Sequence, residues 1–123
     1  MRTLTIKTNP DWKSARRSAG KQAILGLQNG EYQGETLNFE TPGTFFSRLT
    51  ERRWQLLDVL LGSGTVGVRE LARRLDRDVK RVHEDAAALV ELGLIEKDER
   101  GALNCPFDNI YVDMMMAPAK RVA

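Results

Sequence analysis

From Val68 to Gly93 the apolar positions follow the 3.6-residue period of a helix, with one interruption. Val68, Leu71, Ala72 and Leu75 stand at i, i+3, i+4 and i+7, which gives one apolar face to a short helix. Asp76-Arg77-Asp78 breaks the pattern with turn chemistry, and Asp78 suits the N-cap of a second helix. Val79, Val82, Ala86, Leu89 and Val90 form its apolar stripe, closed by Gly93 as the left-handed residue that ends a helix. Upstream, Thr50 is placed to cap a helix reaching about Leu61, with Trp54, Leu57, Leu60 and Leu61 inward. Before it, Thr44 to Leu49 reads as a short helix whose Phe45, Phe46 and Leu49 anchor a core. Downstream, Leu94–Lys97 and Ala102–Cys105 flank Asp98-Glu99-Arg100-Gly101, the pattern of a hairpin with glycine at a left-handed position.

The N-terminal part has a different rhythm. Thr3 to Thr8 alternates Leu4 and Ile6 with polar residues, so a strand is expected. Asn9-Pro10 opens a helix running to about Gln28. Trp12, Ala15, Ala19, Ala23 and Leu27 make its mostly small-residue side; Lys13, Arg16, Arg17 and Lys21 make a basic stripe beside it. That stripe is either a phosphate- or partner-contacting face or an ordinary solvated one. Glu35 to Glu40 reads as a second strand able to pair with the first, and Ile110-Tyr111-Val112 as a third strand or extended segment. Met114 to Met116 offer an adaptable apolar patch. The expected class is α+β, mainly helical. Residues 1–43 form a strand-helix-strand extension, 44–116 a second domain and 117–123 a disordered tail.

Two short helices closed by a three-residue turn are what a helix-turn-helix requires. With Val79 and Ala86 inward, Arg77, Lys80, Arg81, Glu84 and Ala88 fall on the outer arc of the second helix. The long basic side chains gather at its N-terminal end, the end that a recognition helix inserts into the major groove. Lys97 and Arg100 on the hairpin are within reach of phosphates, while Asp98 and Glu99 at its tip oppose such contact. The plainer reading of the same arc is the solvated face of a surface helix.

Three segments in order, T-E-R-R-W-Q-L-L-D-V-L-L, V-R-E-L-A-R-R-L and D-V-K-R-V-H-E-D-A-A-A-L-V-E-L-G-L-I, carry a family resemblance over roughly Thr50 to Asp113. Together they resemble the winged helix-turn-helix regulators of the MarR and ArsR type. More narrowly, they are similar to a small group of prokaryotic DNA-binding regulators, some of them antitoxin-like. Gly93-Leu94-Ile95 looks like the entry to the wing. The resemblance implies a winged helix-turn-helix with an N-terminal β-α-β extension, binding double-stranded DNA as a transcriptional repressor or autoregulator. Arg77, Lys80, Arg81, Glu84, Lys97 and Arg100 would face the DNA, with Lys13, Arg16, Arg17 and Lys21 as further phosphate or partner contacts. A homodimer is expected, because one reading head covers only a short site; the small-residue face with Trp12 and Leu27 is its expected interface. The second reading is a protein-interaction module such as an antitoxin that neutralises a toxin protein, with or without DNA binding.

Composition modifies this picture in a few places. At 123 residues, with 41% hydrophobic and 29% charged positions, the chain suits a single globular core with an extension. The net charge of +2 is modest for a DNA binder, and it is unevenly spread. Residues 1–24 hold six Lys/Arg against Asp11 alone, whereas 69–100 hold eight Lys/Arg against nine Asp/Glu. A single cysteine, Cys105, and a single histidine, His83, supply neither a disulfide nor a metal-ligand set, so no metal or cofactor is expected. His83 sits at the boundary of the inward stripe, and no nucleophile–base pairing is apparent, so no enzyme is expected either. Gly62 to Gly67 satisfies G-x-G-x-x-G, but the preceding element is helical where a dinucleotide fingerprint needs a strand, so it is read as an interhelical loop. With no apolar run of membrane-spanning length and no apolar signal-like start, a cytoplasmic protein away from membranes is expected.

Overall fold

The computed structural model describes residues 2–8 and 34–115. The helix expected between Pro10 and Gln28, its basic stripe Lys13, Arg16, Arg17 and Lys21, and the tail 117–123 lie outside the described residues. Those residues form an α+β protein in the order β1 (Thr3–Thr8), β2 (Glu35–Phe39), α1 (Pro42–Arg48), α2 (Glu51–Leu60), α3 (Val68–Leu75), α4 (Val79–Glu91), β3 (Glu96–Lys97), β4 (Leu103–Asn104) and β5 (Asn109–Asp113). They fall into two compact units, one built on 46–109 with the first residues of the chain, the other on 4–8, 34–45 and 110–115.

In the helical unit each boundary has a local cause. Thr50 accepts from the Arg53 N–H at the start of α2, and Asp78 accepts from the Arg81 N–H at the start of α4. Helix α3 stops because Asp76 turns left-handed (φ 52°), which lets the N–H groups of Asp76 and Arg77 return to the carbonyls of Arg73 and Ala72. Aspartate tolerates that conformation better than most residues with a Cβ. Helix α4 ends the same way: Gly93 (φ 82°) donates to Val90 O and Leu94 donates to Leu89 O. Leu71, Val82 and Leu89 are fully buried, as the two apolar stripes require, and so is Leu94 just beyond α4.

The hairpin is tied into this unit by a feature that periodicity misses. Val66, in the glycine-flanked loop before α3, exchanges both backbone hydrogen bonds with Leu103 at 2.8 Å. One paired residue has no alternation to detect, so only the folded chain reveals it. The turn itself is held by Asp98, whose carboxylate accepts from the N–H groups of Arg100 and Ala102, with Gly101 at φ 85°. Arg2 joins the same unit: its N–H donates to Asp108 and its guanidinium lies 5.1 Å from the Phe107 ring centroid.

In the sheet unit, β1 and β2 run parallel, from Leu4 opposite Glu35 to Thr8 opposite Phe39. The third strand is β5, giving the order β2-β1-β5. Ile110–Val112, grouped with the helical part on chain position alone, thus pairs with the N-terminal strand. Leu4, Ile6, Phe39 and Phe45 are buried here, and the rings of Phe39 and Phe45 meet edge to face at 5.6 Å. Helix α1 starts earlier than its apolar pattern implies, because Pro42 takes the first turn and Thr41 accepts from the Thr44 N–H.

Several inward assignments are corrected. Phe46 is 61% exposed, Trp54 38% and Val79 41%, while Leu56, left out of the predicted stripe, is fully buried. The stripe on α2 therefore runs through Leu56, Leu57 and Leu60, about one position round from the expected face. Size misled the assignment of Trp54; helical phase decides which side chain reaches the core.

Candidate nucleic-acid interface

Helix α4 presents three faces. Val82, Ala86 and Leu89 are buried against the rest of the unit. Lys80, Glu84 and Ala87 lie on the opposite, exposed ridge. The two flanks differ in chemistry, and each borders a hollow.

On the α2 flank, Arg81 shares an open hollow of about 780 Å³ with Arg52 and Gln55 of α2 and with the Asp76-Arg77-Asp78 turn. Arg81 and Arg52 are exposed. Arg77 is not. It was expected on the outer arc, but its side chain is only 12% exposed, and its Nη2 donates to Asp85 Oδ2 at 2.6 Å. Asp85 also accepts from Arg53 Nε at 3.2 Å, and Arg53 Nη1 donates to the Arg48 carbonyl. One carboxylate thus joins α2, the interhelical turn and α4. The physical reason lies in position: Arg77 precedes the helix, so its direction follows the left-handed turn at Asp76 and not the α4 wheel. Its Nε and Nη1 are buried without a hydrogen-bond partner.

On the hairpin flank, His83 of α4 faces Lys97, Arg100 and Gly101 across a hollow of about 400 Å³, with Arg69 and Glu70 of α3 on its third side. His83, Lys97 and Arg100 are all exposed, so the α4 side and the hairpin side converge on one opening. Glu70 does not cancel this charge outright. Hydrogen bonds from Arg73 and then Arg74 hold its carboxyl at about 2, against an ordinary value of 4.5. Arg73 Nε donates to Glu70 Oε2 at 2.9 Å and Arg74 Nε to Oε1 at 3.1 Å. Likewise Asp98, expected to repel phosphates, has an oxygen committed to the hairpin's own backbone.

The structure therefore brings Lys80, Arg81 and Glu84 to the surface of α4 and sets Lys97 and Arg100 beside His83, while Arg77 becomes part of the scaffold. Arg52, Arg69 and Gln55 join the surface without having been singled out in the sequence. Each sits on the polar side of an amphipathic helix, where a solvated face and a binding face look alike. Cys105 is buried, and that burial raises its thiol above the usual range. Among the described residues, no His/Cys/Asp/Glu cluster suited to a metal occurs, and no helix is long and apolar enough to cross a membrane.

The sequence profile of the HVO_A0114 family matches residues 48–112, more than half of the chain and the whole of the segment that builds this surface. The chain belongs to that family. No curated protein matches it.

Proposed function

We propose that this protein is a sequence-specific DNA-binding transcriptional regulator, a repressor or autoregulator, whose helical unit works as a winged helix-turn-helix. Helix α4 enters the major groove and the β3–β4 hairpin is the wing. The observation that supports this reading is that α4 exposes Lys80, Arg81 and Glu84, while its His83 shares one hollow with Lys97 and Arg100 of the hairpin. Lys80 and Arg81 sit in the first turn of α4, where side chains of an inserted helix reach base edges and phosphates. Glu84, one turn further along the ridge, has the chemistry to accept from a cytosine amino group. Lys97, Arg100, Arg52 and Arg69 suit the flanking phosphates. Arg77 is not in this set.

A single unit of this size covers a short site, so a homodimer on a pseudo-palindrome completes the proposal. The test is retention of random duplex DNA in a gel shift at two salt concentrations. Binding should weaken steeply with salt. The double variant Lys80→Ala/Arg81→Ala should lose roughly a hundredfold in affinity, with a shallower salt dependence. Equal retention of DNA by wild type and the double variant would reject α4 as the reading helix.

A further inference from the structure

Among the described residues β5 closes one side of the sheet, and its backbone defines what the outer edge offers. The Asn109 N–H turns toward β1, where it donates to the Arg2 carbonyl at 3.3 Å. Backbone groups of successive strand residues point alternately to the two sides, so Tyr111 and Asp113 also face β1. The N–H and C=O groups of Ile110 and Val112 therefore lie along the outer edge. An edge of this kind is a template for another strand, and proteins commonly blunt it with lysine or proline. The strand Asn109–Asp113 contains neither, and its centre, Ile110-Tyr111-Val112, is made of strong strand formers. Tyr111 is 61% exposed, and Met115 just beyond the strand is 82% exposed.

We infer that the outer edge of β5 is an interface with a second copy of this chain, the two strands pairing antiparallel about a two-fold axis at Tyr111. With Tyr111 opposite its own copy, Ile110 stands opposite Val112, and Val112 opposite Ile110. These are the residues whose backbone groups face outward, so each such pair can exchange both N–H···O=C bonds. A slip of one residue would set outward groups against inward ones, and a slip of two would shorten the paired stretch.

The side chains favour the same register. Two β-branched residues meet in each hydrogen-bonded pair, and the two Tyr111 rings meet in the closer, non-hydrogen-bonded pair between them. Asn109 falls opposite Asp113, so neither Asp113 carboxylate meets its own copy. An unrelated partner strand would require none of this self-complementarity. Because the contact is isologous, it closes at two copies and leaves no β5 edge open. It supplies the homodimer that the DNA reading calls for and rests on that reading only for the use of two heads; the pairing itself follows from the strand.

The experiment measures the mass of the full chain by sedimentation equilibrium across a range of concentrations. A monomer–dimer equilibrium is expected. Tyr111→Lys sets two ammonium groups against each other at the axis and should raise the dissociation constant at least about tenfold. Its fold is checked by circular dichroism. Val112→Pro deletes an outward N–H while sparing those that face β1, and should weaken the dimer likewise; if it does not fold, Tyr111→Lys decides. Cross-linking tests the register directly. At a non-hydrogen-bonded pair the two Cα atoms stand about 4.5 Å apart, within the span of a disulfide. Mild oxidation of Tyr111→Cys should therefore give a covalent dimer, whereas Thr36→Cys, exposed on β2, should not. A monomer at every concentration, a dimer untouched by Tyr111→Lys, growth beyond two copies, or equal cross-linking at Thr36 would each overturn the proposal. DNA retention is scored separately by gel shift. A dimer broken by Tyr111→Lys in a chain that retains no duplex DNA would uphold the interface and reject the DNA reading. Retention of DNA by a chain that stays monomeric would do the opposite.

Discussion

Two groups of cations flank α4, and they have opposite fates. On the side of α2, Arg53 and Arg77 converge on Asp85, with their side chains 25% and 12% exposed. On the ridge and the hairpin, Lys80, Arg81, Lys97 and Arg100 are exposed. The residue types are the same, and in sequence Arg77 and Arg81 are separated by a single helical turn. What separates them is the carboxylate. Asp85 stands on the inner flank of α4, where it meets the two guanidiniums and trades their hydration for hydrogen bonds. A basic count near a helix N-terminus thus overstates what is available to a ligand. Some of those charges hold the helix in place.

This contrast makes the largest prediction a structural one. Asp85→Ala would leave two partly buried guanidiniums facing each other without a counter-charge, and should destabilise the protein by about 3 kcal/mol. A denaturant midpoint equal to wild type would mean that the cluster contributes no more than a surface ion pair.

Arg77→Met sharpens the asymmetry. It removes the two unpartnered guanidinium nitrogens and leaves Asp85 paired with Arg53, so the expected cost is only about 1 kcal/mol. DNA affinity should remain within about threefold of wild type, in contrast to Lys80→Ala/Arg81→Ala, which should lose affinity while changing stability by less than about 0.5 kcal/mol. If the Arg77 variant loses DNA as the double variant does, the division between scaffold and reader collapses.

A smaller effect is expected at the turn that aims Arg77. Asp76 has φ 52°, a conformation that glycine adopts without steric cost. Asp76→Gly should therefore shift stability by no more than about 1 kcal/mol in either direction, since relief of strain is offset by a more flexible unfolded chain. Asp76→Val, with a branched Cβ in the left-handed region, should be clearly destabilising in the same thermal melt.

The smallest effect concerns acid. Glu70 is held at about 2 by Arg73 and Arg74, below its ordinary 4.5. A depressed carboxyl contributes stability that is fully present above pH 4.5 and is lost as pH falls through about 2. Because the group is exposed, screening keeps that contribution slight. Wild type and Glu70→Gln should differ slightly near pH 6 and converge toward pH 2, and an NMR titration of the Glu70 carboxyl should show its low midpoint. A midpoint near the ordinary value would remove the ion network from the picture of the hairpin-side hollow.

Local rules wrote much of the helical unit directly into the chain. The period of Val68 to Leu75 and of Val82 to Leu89, the cap at Thr50, the cap at Asp78 and the left-handed Gly93 all act within a few residues, and each appears where its chemistry places it. The strand at Thr3–Thr8 and the turn at Asp98 to Gly101 are equally local. Only the tertiary structure decided what such rules do not reach. It paired Val66 with Leu103, placed Ile110 to Val112 in the sheet of the N-terminal strand, turned Trp54 and Phe46 toward solvent, and locked Arg77 onto Asp85. Those outcomes depend on partners far apart along the chain or on a turn that resets direction. Local periodicity reports which face is apolar, but the partner that covers that face, or captures a charge beside it, exists only after the chain has folded.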